Sequence, residues 1–291
     1  MNKLVYLLFR VFIGLFTLVP LRFLYLFSDL LHHFIRSVLR YRRKVVFTNL
    51  KNSFPDKTDA ELRSIARRYY RHLSDILVES LKSFSMNEED LVNRYRCTNP
   101  EVLNEYFKQG KSVICVAGHY GNWEWGGAAS GTQLLHKPIG FYKPLSNPYI
   151  DEYVQKTRVT GRTRLASITR TAETFIQDWG EPAVFFMIAD QSPSSTRLAF
   201  WVDFLNQETA TLHGPEKYAR IHRLPVFFAS VNKVRRGFYT ITFTLVASDP
   251  EQAKTGEITS RFMNLLEQEI KIQPAYYLWS HRRWKLKRAE Q

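Results

Sequence analysis

Cysteine is scarce in this chain, with only Cys97 and Cys115 among 291 residues. That excludes a disulfide framework and a cysteine-based metal centre, and Cys115, inside the apolar run 112–117, reads as a small buried hydrophobe. Acidic residues are also short: 27 Asp and Glu stand against 41 Lys and Arg, for a formal charge of +14. Such an excess implies an anionic partner, whether nucleic acid, a membrane surface, an acidic protein or a phosphorylated substrate. Alanine is missing before Ala60, so the small-x-small cleavage site of a secretory signal peptide is absent. Neither a Walker loop nor a dinucleotide fingerprint occurs. There is no internal repeat, low-complexity linker, zinc spacing or RNA-binding signature. Histidines such as His32, His33, His72, His136 and His222 have no second strong ligand at metal-binding spacing, so neither a metal nor a cofactor is expected.

What is present begins with an apolar N-terminus. From Leu4 to Phe27 only Arg10 and Arg22 interrupt an apolar and aromatic run, whose longest uncharged stretch covers 11–21. A spanning helix takes about 20 apolar residues. The segment is therefore expected to be a hydrophobic membrane-anchor helix that either spans with its arginines snorkelling or lies in the interface. Arg36, Arg40, Arg42, Arg43 and Lys44 follow, a cluster suited to the cytoplasmic side and to anionic headgroups. Residues 1–40 thus read as anchor and basic flank, and 41–291 as one large domain.

Helical patterning resumes over 41–85, broken at Pro55-Asp56. Thr58-Asp59-Ala60-Glu61 resembles a capping box opening an amphipathic, basic helix over 59–81. A short helix opens at Asn99-Pro100. Beyond it, strands are expected over 112–117, 138–142, 183–189, 225–234 and 238–247, and helices over 123–130, 148–160, 171–179, 214–222 and 255–271. The last two strands, joined through Arg235-Arg236-Gly237, read as a hairpin. Such alternation predicts an α/β fold, a single domain with a largely parallel, mixed central sheet flanked by helices.

His119-Tyr-Gly-Asn-Trp-Glu124 directly follows the β-branched run 112–118, which places His119 at a sheet edge. On a continuous helix, positions five apart diverge by roughly 140°, so the pair needs a turn, which Gly121 and Asn122 permit. A neutral imidazole takes a proton from a hydroxyl, and a carboxylate on its other nitrogen fixes the tautomer and stabilises the cation. No serine or cysteine lies within the motif, so the simplest chemistry is direct transfer, with His119 activating a substrate hydroxyl.

Asp190 and Gln191 end a second apolar strand, the position at which open α/β sheets build sites. Lys143, Asn147, Arg158, Arg162, Arg164 and Arg170 supply polar groups suited to phosphate or an oxyanion, Arg158 foremost. The tail His281-Arg282-Arg283-Trp284-Lys285 interleaves cations with an aromatic. Without other nucleic-acid signals it reads as lying against anionic lipid or an acidic protein.

Taken together, these elements resemble the late acyltransferases of lipid A biosynthesis, of the lauroyl/myristoyl type. The resemblance runs through Arg43, Asn49-Leu50 and Phe54-Pro55, the His119–Glu124 motif, Asn147-Pro148 and Arg158, Asp190-Gln191, Gly214-Pro215, and Tyr277-Leu-Trp279-Ser-His281-Arg282-Arg283-Trp284. Where the family commonly carries Phe-Phe-Gly, this chain reads Asp203-Phe204-Leu205-Asn206. The resemblance implies that residues 41–291 form an acyltransferase domain at the cytoplasmic face of a bacterial inner membrane. It implies transfer of a fatty acyl group from an acyl carrier protein thioester to a hydroxyl of a lipid A precursor, a phosphorylated glucosamine disaccharide. His119 would be the base, Glu124 its partner and Arg158 the group stabilising an anionic intermediate or a lipid phosphate. Lys143, Asn147, Arg162, Arg164, Asp190 and Gln191 would bind substrate. Partners would be the carrier protein, the lipid precursor and the anionic membrane, not nucleic acid. Alternatives are another glycolipid or a lysophospholipid as acceptor with acyl-coenzyme A as donor, a hydrolase using His119 on water, and a non-enzymatic basic adaptor at the membrane.

Overall fold

A computed structural model describes residues 1–158, 161–196 and 199–288, the side chain of Arg158 lying outside the described residues, as do positions 159–160 of the helix expected over 148–160. In chain order the helices are α1 (Asn2–Leu18), α2 (Leu21–His33), α3 (Arg43–Ser53), α4 (Asp59–Lys82), α5 (Glu88–Arg94), α6 (Glu101–Lys108), α7 (Trp123–Ser130), α8 (Pro148–Arg158), α9 (Thr171–Ile176), α10 (Gly214–His222) and α11 (Glu257–Ile272). The strands are β1 (Tyr95–Cys97), β2 (Val113–Ala117), β3 (Lys137–Tyr142), β4 (Arg164–Ser167), β5 (Ala183–Ile188), β6 (Ala199–Phe204), β7 (Gln207–Leu212), β8 (Val226–Arg235) and β9 (Phe238–Ala247).

Seven strands form the central sheet in the order β1-β9-β8-β2-β5-β3-β4. Every pairing is parallel except the β8–β9 hairpin. The expected α/β domain with a mixed, mostly parallel sheet is therefore present. β2 shows why its sequence is apolar throughout: Ile114 and Val116 join the core on one face with Leu50, Leu62, Phe228, Phe262 and Leu266. Val113 and Cys115 join the opposite core with Leu24, Leu91, Leu103, Trp125 and Phe227. A strand covered on both faces has no polar side to alternate with. α4 starts with the expected capping box, in which the Glu61 N–H donates to Thr58 Oγ1 and the Thr58 N–H donates to Glu61 Oε2.

Two features differ from the sequence reading. The N-terminal segment forms two helices rather than one, α1 and α2, bent by 115° at Val19-Pro20, and no single helix among the described residues is long and apolar enough to cross a membrane. Pro20 lacks the amide that a continuous helix would need there. Packing sets the direction after it, because Leu21, Leu24, Ser28 and His32 are buried in the fold while Leu26, Phe27 and Leu30 stay exposed. The second feature is the β6–β7 hairpin, a separate two-stranded sheet. Its two-residue turn sets Leu205 at φ 51 and Asn206 at φ 61, so this chain makes a left-handed turn without glycine. The buried Leu205 donates its N–H to Glu267 Oε2 at 2.8 Å, and Asn206 Nδ2 donates to Ser53 O at 3.0 Å. Those contacts hold the turn.

The β2 strand leaves the sheet beneath α11. A Cβ at Gly118 would lie 2.6 Å from Leu266 Cδ1, so glycine is what lets the chain pass. Leu266 is fully buried. Leu266→Ala is expected to destabilise the fold by about 3 kcal/mol, through lost burial plus an unfilled cavity. A shift in urea midpoint at unchanged slope would report it.

Candidate functional site

The register of two neighbouring strands builds the site. In the β2–β5 ladder Ala117 pairs with Ile188, and the Ala189 N–H still donates to Ala117 O at 3.1 Å. His119 and Asp190 each lie two residues beyond that last pair, at the carboxyl ends of parallel strands. His119 Nδ1 is 2.6 Å from Asp190 Oδ1, the two side chains being 17% and 3% exposed. Gln191 Nε2 is 3.0 Å from His119 Nε2. One tautomer satisfies both contacts: Nδ1–H donates to Asp190, and the Nε2 lone pair accepts from the Gln191 amide. The indole of Trp123 meets the imidazole edge-on, with centroids 5.3 Å apart.

Electrostatics reinforce the pair. Burial works to lower the imidazole pKa, but the charge and hydrogen bond of Asp190, and then the charge of Glu124, raise it above its ordinary 6.5. For Asp190, burial would raise the pKa, and His119 together with Arg283 holds it below the ordinary value. A carboxylate desolvated to this degree stays ionised only when it has such partners.

Arg283 is such a partner. Of the tail expected to lie against anionic lipid or an acidic protein, Arg282 and Lys285 are exposed, but Arg283 is 2% exposed, Trp279 is fully buried, and Trp284 Nε1 donates to Thr209 Oγ1 at 2.8 Å. Arg283 Nη1 donates to Ala210 O, while its Nε and Nη2 have no hydrogen-bond partner among the described residues. The tail also grips the motif directly. Tyr120 bridges Tyr277, the Leu278 N–H donates to His119 O at 3.1 Å and the Gly121 N–H donates to Tyr276 O at 3.1 Å. His281 follows, its pKa pushed down to about 4 by burial and by the neighbouring His119 and Arg283.

Helix α4 supports the motif from behind with a buried polar face, His72, Asp75 and Glu79. Spacings of three and four residues put these on one side of a helix. His72 Nε2 donates to Gly121 O at 3.2 Å, where Gly121 has φ 61 and no room for a Cβ against Val231. Burial, and then the charge of Lys233, hold the His72 pKa far down, which keeps the ring neutral. Glu79 accepts from Asn122 Nδ2 at 2.7 Å, Tyr239 Oη at 2.8 Å and Tyr25 Oη at 2.7 Å. With its amide so fixed, Asn122 turns Oδ1 to the first turn of α7 and accepts from the Trp125 N–H at 3.0 Å. Glu79 thus orients the cap of the helix that carries Glu124.

Glu124 itself lines a cavity of about 150 Å³ between α7 and the sheet, whose other walls include Leu91, Phe141, Leu165, Phe186 and Val231. Two of the expected site residues, Arg162 and Arg164, are elsewhere. Arg162 donates to Leu134 O, Leu135 O and Glu181 before the starts of β3 and β5, the opposite end of the sheet from His119. Arg164 opens β4 at that same end and donates to Thr163 O. Asn147 caps α8 by accepting from the Tyr149 N–H and ties it to α1 by donating to Asn2 O. Lys143 is exposed on the loop before α8. The side chain of Arg158 lies outside the described residues. No group of residues able to hold a metal ion occurs among the described residues.

An imidazole with a buried carboxylate on Nδ1, at the carboxyl ends of parallel strands and with Trp123 and Glu124 between it and an apolar cavity, is an arrangement that suits acyl transfer to a hydroxyl. Comparison with known proteins leads the same way. A model of the bacterial lipid A biosynthesis acyltransferases matches residues 2–286. The lipid A biosynthesis palmitoleoyltransferase of Escherichia coli (strain K12) is 24% identical over 259 residues, 86% of this chain and 81% of that one. The lauroyltransferase of the same organism is 23% identical over 250 residues, 85% and 80% of the two chains. The lipid A biosynthesis acyltransferase of Haemophilus influenzae is 22% identical over 247 residues, covering 84% and 78%. The chain belongs to the bacterial lipid A biosynthesis acyltransferase family, and it is an acyltransferase.

Glu79→Gln and Asn122→Asp are each expected to lower stability, by about 2 kcal/mol or more, because each leaves a buried group mispaired. The double substitution reverses the polarity of the bond and restores it. Thermal unfolding of all four proteins should therefore give a coupling of about 1–3 kcal/mol in favour of the double variant, whereas additive losses would contradict the bond.

Proposed function

We propose that the protein transfers a fatty acyl group from an acyl carrier protein thioester to a hydroxyl of a lipid A precursor, with His119 as general base and Asp190 as its orienting partner. The observation that carries this reading is the 2.6 Å contact on Nδ1, which leaves the basic lone pair at Nε2. The acceptor hydroxyl replaces Gln191 at Nε2 and gives up its proton there as its oxygen attacks the thioester carbonyl. The tetrahedral intermediate collapses with cleavage of the carbon–sulfur bond, and the imidazolium returns its proton to the departing thiolate. Asp190 steadies the transient cation, with Arg283 keeping that carboxylate ionised. Glu124 adds negative potential at the imidazole and stands at the mouth of the apolar cavity, which receives acyl methylenes at about 0.8 kcal/mol for each one buried. Arg158 keeps the role suggested by the family resemblance, at an oxyanion or a lipid phosphate.

The α1–α2 pair supports a position on the inner membrane at its cytoplasmic face. Leu4, Leu8, Val11, Leu15, Phe23, Leu26, Phe27 and Leu30 are exposed, a surface larger than soluble proteins ordinarily leave bare. The bent pair lies in the interface with this face in the acyl layer.

With purified protein, carrier-protein thioester and lipid A precursor, His119→Ala should abolish transfer without unfolding the protein; undiminished transfer would sink the mechanism. Assays with acyl-coenzyme A and lysophospholipids separate the other donors and acceptors, and release of free fatty acid without acylated product would favour a hydrolase. The base must be neutral, so activity should rise with pH through a His119 pKa held above 6.5. Asp190→Asn removes what raises that pKa. It should move the acid limb of kcat/KM to lower pH while cutting kcat by about a hundredfold or more.

A further inference from the structure

We propose that a cationic groove at the junction of the N-terminal helices and α3 is a binding site for the phosphate headgroup of an anionic bilayer phospholipid. The groove encloses about 880 Å³. The run Arg36, Arg40, Arg42, Arg43 and Lys44 lines it, joined by Arg63 from α4 and Arg282 from the tail, and no carboxylate does. These cations are brought together by folding from three distant parts of the chain, which composition alone does not accomplish. Elsewhere carboxylates pair some half-buried cations, as Arg236 with Asp29 and Asp75 and Lys233 with Asp75; the groove cations are exposed, apart from the half-buried Arg36. In the groove the pairing is nearly absent. Arg63 reaches the exposed Asp59 only at 3.7 Å and Arg42 donates to Ser280 O at 3.0 Å. The side chains of Arg36, Arg40, Arg43, Lys44 and Arg282 make no hydrogen bond or ion pair among the described residues. Like charges gathered this closely repel one another, and an anion between them relieves the repulsion.

Position and lining select the anion. Phe34, Val38 and Leu39, interleaved in sequence with the groove's Arg36 and Arg40, are exposed and follow directly on the exposed Leu26, Phe27 and Leu30 of α2. On the reading that this face lies in the acyl layer, on which the inference rests, the cations stand at headgroup depth. Val45, Val46, Ala66 and Tyr70 give the groove an apolar wall. A phosphate on an apolar stem fits such a concave, two-sided lining, whereas the convex acidic surface of a folded protein does not.

The test is partition of the full chain onto vesicles of phosphatidylcholine alone and of phosphatidylcholine mixed with phosphatidylglycerol, at low salt. Three proteins are compared: the wild type, Arg40→Gln/Arg43→Gln, and a charge-matched control, Lys108→Gln/Lys111→Gln, whose exposed lysines precede β2 at the far end of the sheet. The wild type and control should prefer mixed vesicles, and the groove variant should lose about twenty-five-fold of that preference, roughly fivefold per cation, while binding neutral vesicles unchanged. An equal loss in the control would mean diffuse charge and overturn the proposal, as would a preference that survives in the groove variant. If instead the groove variant loses binding to acyl carrier protein with its vesicle preference intact, the groove serves an acidic protein and the proposal falls. Failure of all three to bind neutral vesicles would overturn the bilayer reading, separately from the groove.

Discussion

The pairing of β2 with β5 is the constraint on which the site depends. Its last residues, Ala117 and Ile188, are in register, and two residues on from each stand the imidazole and the carboxylate. A slip of one residue in a strand turns every side chain to the other face. Here it would also separate His119 from Asp190. The register is held by core packing on both faces of β2, so the hydrophobic effect that folds the sheet also sets the distance between imidazole and carboxylate.

Strand register places Cα atoms, but the turn between His119 and Glu124 needs its own support. Three hydrogen bonds to Glu79, together with the one from His72 to Gly121, provide it. Burying a carboxylate this fully raises its pKa, a cost that its donors must offset. An apolar residue at Glu79 would avoid that cost but would leave the Asn122 amide free to turn its NH₂ group toward α7. Because Tyr25 comes from α2, the same carboxylate also joins the exposed apolar helix to the motif. The exposed apolar helices and the site therefore share one hydrogen-bond centre.

Much of this was legible in the sequence, and the reasons for the rest are physical. β2, α7, α10 and the β8–β9 hairpin follow from local apolar pattern and turn chemistry, and so does the α4 capping box. The carboxylate on His119 Nδ1 was sought in Glu124, five positions away, because local spacing is all a single sequence displays. Asp190 is 71 positions distant, and its place depends on which strands become neighbours. Asp190 and Gln191 were nevertheless recognisable as strand-end polar residues. Arg162 and Arg164 read from the sequence as cations suited to phosphate or an oxyanion, yet the fold sets them at the opposite end of the sheet. Arg283 was missed because an arginine in a basic tail ordinarily stays in water; only a buried partner such as Asp190 offsets its desolvation.

Burial also sharpens the charge asymmetry visible in the composition. Asp75, Glu79, Asp190 and Glu216 are buried, whereas among the described cations only Arg283 is. Each has internal work: Asp75 binds Ser28 and Arg236, Glu79 holds Asn122, Asp190 holds His119, and Glu216 accepts from Thr259 at the start of α11. Carboxylates are spent inside on hydrogen bonds that organise loops and helix ends, so the surface is more basic than the excess of 41 cations over 27 anions already implies. A surface with so few anions carries a positive field that favours anionic groups of any kind near it. The buried carboxylates that hold the site's framework thus also leave the exterior more positive.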